Sequence, residues 1–136
     1  MEKMENLVLD LRIVGLPRPQ ARPRTFSHRG RVMTYSPKTD WHGIVYREAL
    51  QVRPKVPYDC ALEVDLCFVM PRPASKKKAS WHTTRPDWDN LAKCVTDCMT
   101  QAQWWVDDSR IFKANIEKRY PIGDEPPGVI AKVYTY

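Results

Sequence analysis

Two aspartates separated by one residue, Asp87 and Asp89, lead into a helical pattern, and Lys93 follows the second by four positions. Side chains two apart on an extended segment project to the same side. Carboxylates held close repel each other, so the pair calls for a cation or a shared proton. Mg²⁺ fits such a site because it takes hard oxygen ligands and keeps several waters. On a helix Lys93 shares a face with Asp89. An ammonium there can hold a scissile phosphate or stabilise its transition state, and the exposed N–H groups of a helix start also favour an anion. Each residue has an ordinary structural account as well. Asp87 or Asp89 can be the helix N-cap, and Lys93 can pair with Asp89 or Asp97. Asp107-Asp108-Ser109 adds two acids after the helix, in a combination common in turns. For Asp108 to meet Asp87 and Asp89, the chain must double back along a helix about 20 Å long. A strand starting at Asp108 need not do this.

The elements that position these residues read from periodicity. Leu7 to Val14 alternates, with Leu7, Leu9, Leu11 and Ile13 opposite Asp10 and Arg12, which predicts a half-buried strand. Three prolines between Pro17 and Gly30 argue against regular structure there. Arg31 to Tyr35 reads as a short edge strand. Ser36 as N-cap and Pro37 as first residue open a helix carrying Trp41, Ile44, Val45 and Ala49 that fails by Pro54. Ala61 to Met70 is the clearest strand. Residues 89 to 103 read as a helix through Leu91, Val95, Cys98 and Ala102. Strands near Ile111 to Tyr120 and Val129 to Tyr136 close the order. The expectation is a single α+β domain over residues 1–136, with a mixed sheet of about four or five strands and two main helices.

Charge narrows the partners. The net charge is +6 from 22 Lys plus Arg against 16 Asp plus Glu. Pro17–Arg31 and Pro71–Arg85 hold ten of the bases and no acid, so the other residues carry 12 bases against 16 acids. A mildly acidic body with two cationic segments points to a local polyanion contact rather than general basicity. No run approaches the roughly 18 apolar residues of a membrane span, and Met1-Glu2-Lys3 does not read as a signal peptide. A cytoplasmic protein without a membrane partner is the expectation. Cys60, Cys67, Cys94 and Cys98 lack C-x2-C spacing, and His28, His42 and His82 are scattered, so reduced structural thiols are expected.

The sequence Asp87-Trp88-Asp89-Asn90-Leu91-Ala92-Lys93, followed by Trp105-Val106-Asp107-Asp108, closely resembles the RusA family of Holliday-junction resolvases, and Asp108 lies 19 residues past Asp89 as expected for that family. Upstream, Gly15-Leu16-Pro17 through Arg22-Pro23-Arg24 is similar to the family's N-terminal segment. Tyr35-Ser36-Pro37-Lys38 is similar to its helix start, and Phe68 to Pro73 to its F-x-x-P-R-P run. Two departures stand out. The family's glycine before the aromatic is missing from Gln101-Ala102-Gln103-Trp104-Trp105, and Trp88 replaces an aliphatic residue between the acids. Both bear on packing more than on ligands.

The resemblance implies a homodimeric, Mg²⁺-dependent endonuclease, with Mn²⁺ as substitute, that nicks four-way DNA junctions in opposed strands. It makes Asp87, Asp89 and Asp108 the metal-binding catalytic acids and Lys93 the catalytic lysine, with Asn90 in support. Arg18, Arg22, Arg24, Arg72, Lys76, Lys77, Lys78 and Arg85 become the DNA-contact candidates, and Trp81 or Phe26 the candidates for stacking on exposed bases. The competing readings are a non-catalytic structure-specific DNA-binding protein, a metal nuclease for other branched DNA or RNA, and a dimerisation module.

Overall fold

The computed structural model describes residues 2–20, 24–35 and 40–136. A short helical turn, α1 (Glu2–Glu5), precedes β1 (Leu7–Val14), and a hairpin of β2 (Arg24–His28) and β3 (Arg31–Tyr35) follows. Then come α2 (Asp40–Gln51), β4 (Leu62–Val69), α3 (Trp88–Gln101), β5 (Ile111–Arg119) and β6 (Gly128–Thr135). The single α+β domain with a mixed sheet and two main helices is as expected. The expected N-cap and first helical residue, Ser36 and Pro37, lie outside the described residues.

Contrary to expectation, the prolines before Gly30 do not exclude regular structure there. The segment before Gly30 holds a strand, with Phe26 paired to Met33 and Arg24 to Tyr35. Its prolines end at Pro23, so residues 24–28 keep every N–H donor a ladder needs. Arg29 and Gly30 take positive φ (51° and 77°) and close the hairpin.

The main sheet runs β1-β6-β4-β5. β6 is antiparallel to both β1 and β4, whereas β4 and β5 are parallel. Parallel neighbours require a crossover, and here it consists of the basic loop, α3 and the turn after it. Leu62, Val64, Leu66 and Phe68 of β4 meet Leu91, Val95 and Cys98 of α3 and Trp41, Val45 and Ala49 of α2 in one buried core. The sheet closes tightly where β6 begins, since a Cβ on Gly128 would stand 2.0 Å from the Ile13 carbonyl oxygen. The four cysteines are free thiols, and no helix among the described residues is long and apolar enough to cross a membrane.

The other face of the sheet is polar. Glu63, only 3% exposed, accepts hydrogen bonds from Tyr136 Oη (2.8 Å) and Asn115 Nδ2 (2.9 Å) and pairs with Lys3 Nζ at 2.9 Å. Lys3 foremost, with Tyr136 and Asn115, holds the Glu63 carboxyl below its usual range despite burial. This knot fastens α1 and the C-terminal residue to the start of β4.

Candidate acidic cleft and its basic surround

Asp87 stands at the N-cap position of α3 in extended conformation (φ −71°, ψ 149°), yet its side chain caps nothing. Capping is the ordinary use of an Asp at this position, so its carboxylate is left for another task. Asp89, in the first helical turn, accepts the Asn90 backbone N–H at 3.0 Å. Both acids are exposed and line one open cleft of about 640 Å³ with Thr83, Thr84, Arg85, Trp88 and Lys118. Trp88, 58% exposed between the acids, presents an unburied aromatic face at the rim.

The loop carrying Asp87 is docked on the end of β5. Tyr120 N donates to Ser80 O (3.0 Å) and His82 N to Lys118 O (3.2 Å). Lys118 Nζ donates to Thr84 O (2.8 Å) and Pro86 O (2.7 Å). The buried His82 ring meets the Tyr120 ring edge-on at 5.4 Å. Burial first, and then the Lys118 charge, lowers the His82 pKa. On the far flank, Gln20 N donates to Asn90 O at 3.0 Å, which brings the first basic segment to the start of α3.

Asp108 is elsewhere. β5 pairs Ile111 with Leu62 at one end and Arg119 with Val69 at the other. The cleft sits at the Arg119 end, and Asp108 precedes Ile111 at the opposite end. Ile111 and Lys118 are seven strand residues apart, about 23 Å at roughly 3.3 Å per residue. The chain after α3 therefore does not double back. Buried Trp104 and Trp105 anchor this far end, donating to Ala49 O (2.8 Å) and Thr100 Oγ1 (2.7 Å). Asp107 accepts from Ser109 N at 2.9 Å and caps the 3₁₀ turn Asp108–Arg110, and the Ser109 contacts lower its pKa. The exposed Asp108 carboxylate makes no hydrogen bond or ion pair with the described residues. No group of three His, Cys, Asp or Glu within metal-binding reach occurs among them.

Lys93 pairs with Asp97 at 3.5 Å rather than with Asp89. Lys93 is exposed and Asp97 half-buried, and a helical pair of this spacing is worth about 0.3–0.5 kcal/mol, so it restrains the ammonium only weakly. Among the basic candidates, Arg18, Lys76, Lys77, Lys78 and Arg85 are exposed, and Arg85 lines the cleft itself. Arg22 lies outside the described residues, as does the Phe26 side chain. Arg24 is described only through its backbone pairing in β2. Arg72 differs from the phosphate-contact expectation. Its guanidinium donates to Lys76 O (2.8 Å), Ala79 O (2.5 Å) and Pro121 O (3.2 Å) and lies over the Tyr120 ring at 4.9 Å. Its Nη1 and Nη2 donors shape the loop that displays the three lysines. Trp81, 59% exposed, bridges to Arg119 beside the cleft.

Sequence reasoning missed Lys118, Thr84 and Gln20. A lysine in a half-polar strand, a threonine in a loop and a glutamine after proline carry no chemical signal by themselves.

The model of endodeoxyribonuclease RusA matches residues 15–134. A crossover junction endodeoxyribonuclease rusA from Lactococcus phage r1t is 37% identical over 62 residues, 42% of this chain and 47% of the relative. The chain thus spans about half the length of that curated relative. With the family match running from the Gly15 segment through β6, the chain belongs to the endodeoxyribonuclease RusA family.

Proposed function

We propose that this chain is a Mg²⁺-dependent, structure-specific endodeoxyribonuclease that resolves four-way DNA junctions by paired nicks, acting as a homodimer. The observation that carries the reading is the Asp87–Asp89 pair. Two exposed carboxylates, one declining an available capping role, share an open cleft at the meeting point of two basic segments. Hard, unburied oxygens with room for waters fit Mg²⁺, and Mn²⁺ as its substitute. A divalent ion held there would polarise the scissile phosphate and supply an activated water. Asp87 and Asp89 hold the ion, and Lys93, one turn down the helix from Asp89, offers its ammonium to the phosphate. Lys76, Lys77, Lys78, Arg18 and Arg85 bind phosphates along the arms without reading sequence. Trp81 and Trp88 offer exposed rings to unstacked bases at a branch point.

The distance of Asp108 from this pair favours a composite centre. Two copies related by a twofold axis give an isologous interface, in which each element of one copy meets the reciprocal element of the other. The third carboxylate of each centre is then the partner subunit's Asp108. Such a dimer carries two equivalent centres, as paired nicking of a symmetric junction requires.

The test is incubation of the protein with a labelled four-way junction in Mg²⁺, beside flaps, forks and RNA. Symmetric paired nicks on the junction are the expected product. Asp89→Asn should lower cleavage at least about a thousandfold while leaving junction binding intact. Binding without cutting in any divalent metal would favour a non-catalytic binding protein, and normal cutting by the variant would remove the acids from the mechanism.

A further inference from the structure

We infer that Lys118 is a positioning residue that holds the acidic cleft in its metal-binding shape; this rests on the nuclease reading above. Lys118 is the strand residue in a cleft otherwise lined by the Thr83–Asp89 segment. It holds the loop at three alternate residues, 82, 84 and 86. Its backbone carbonyl takes the His82 N–H at 3.2 Å, and its ammonium reaches Thr84 O at 2.8 Å and Pro86 O at 2.7 Å. Pro86 O belongs to the peptide that leads into Asp87, so the second of these side-chain bonds fixes the plane from which the Asp87 side chain departs. Two carbonyls on one ammonium leave one N–H, and Asp87 is the charged group whose field the ammonium feels.

Burial lowers the Lys118 pKa, so the cation is held where solvent supports it poorly. The surrounding geometry explains its retention. Two carbonyl oxygens accept from it directly, the Asp87 charge favours it from beyond ion-pair distance, and no other described side chain donates to Thr84 O or Pro86 O. Its attraction for Asp87 also offsets part of the repulsion between Asp87 and Asp89.

Two roles are open to a cation at this place, and they differ in sign. If Lys118 acted only as a charge, its removal would make the cleft more negative and divalent ions would bind more tightly. If it positions Asp87, its removal frees the Thr84–Pro86 carbonyls and turns the carboxylate away, so ions bind more weakly. Groups that orient metal ligands typically contribute about 10–100-fold to affinity.

The experiment measures Mn²⁺ binding to the DNA-free protein by electron paramagnetic resonance for wild type, Asp89→Asn, Lys118→Met and Lys118→Arg. Lys118→Met is expected to bind Mn²⁺ at least about tenfold more weakly, with junction affinity in EDTA within about twofold of wild type. Lys118→Arg, which can still donate to both carbonyls, should recover part of the loss. Mn²⁺ binding by Lys118→Met as tight as wild type, or tighter, overturns the proposal. So does a loss confined to junction affinity, which would make Lys118 a phosphate contact. If Lys118→Met fails to fold, Lys118→Arg against Lys118→Gln carries the same comparison. Wild type that binds no better than Asp89→Asn removes the nuclease reading itself, which separates the two failures.

Discussion

The two ends of α3 carry acids of the same type in different settings. At its start, Asp87 and Asp89 open into one cleft, and the loop that carries them is tied to β5 by the Lys118 ammonium. At the far end, Asp107 is spent on Ser109 N, while Asp108 faces solvent three residues before β5. The start gathers two acids in one cleft; the far end holds an acid with no hydrogen bond or ion pair among the described residues. The difference teaches that acidity alone does not mark a metal centre. What distinguishes one end is that its backbone is held by groups making no other use of the carboxylates.

The largest effect that tests this contrast, beyond loss of the acids, concerns Lys93 and Asp97. They form one ion pair along α3, at 3.5 Å. If Lys93 serves the cleft, Lys93→Ala should lower cleavage at least about a hundredfold with unchanged thermal stability, while Asp97→Ala should leave cleavage near wild type. Equal and small effects from both would reduce Lys93 to a surface ion pair.

A smaller effect is expected from the loop that feeds the cleft. Neutralising Lys76, Lys77 and Lys78 together should weaken junction binding and flatten its salt dependence by roughly 0.9 per lost phosphate contact. An unchanged slope in a salt titration would place the DNA elsewhere. Arg72→Ala should weaken binding less directly, through loss of the loop shape held by its bonds to Lys76 O and Ala79 O.

The smallest effect is on stability and belongs to the cleft end of the sheet. Arg119 donates to both carboxylate oxygens of Glu125, and Arg12 adds a bond at 3.0 Å. These contacts, Arg119 foremost, bring Glu125 down to about 2. Because the folded value lies below the unfolded one, near 4.3, the stabilisation is present above that pH and is lost as pH falls toward 2. Glu125→Gln should cost about 2 kcal/mol at neutral pH and blunt the decline in unfolding midpoint between about pH 4 and 2. An identical acid profile in the variant would show that other carboxylates govern it.

Sequence alone revealed the parts of this molecule whose physics is local. Leu62, Val64, Leu66 and Phe68 alternate, so β4 was legible. Asp87 and Asp89 are two residues apart, so their sharing of one cleft was legible as well. They do so across the start of α3, with Asp87 extended and Asp89 already helical, rather than along an extended segment. β2 was hidden because the prolines at 17, 19 and 23 colour the whole segment, although none falls inside the strand. The place of Asp108 was hidden because it depends on β5 lying parallel to β4, a long-range pairing that no local pattern encodes. The loop-shaping bonds of Arg72 were hidden because a basic run looks alike whether its donors face water or turn inward to carbonyls. Lys118 was invisible for the opposite reason: its partners are backbone atoms, which carry no side-chain signature.

If a cutting centre takes Asp87 and Asp89 from one copy and its third acid from another, mixing two inactive variants restores it. Asp89→Asn and Asp108→Asn are unfolded and refolded together, and junction nicking is measured in Mg²⁺. Reassortment gives about half mixed dimers, each with one intact composite centre, or about a quarter of the wild-type centres. Recovered nicking of single strands, with paired nicks absent, is the expected result. No recovery from the mixed dimers, with wild type active after the same treatment, would contradict it and confine the centre to one chain.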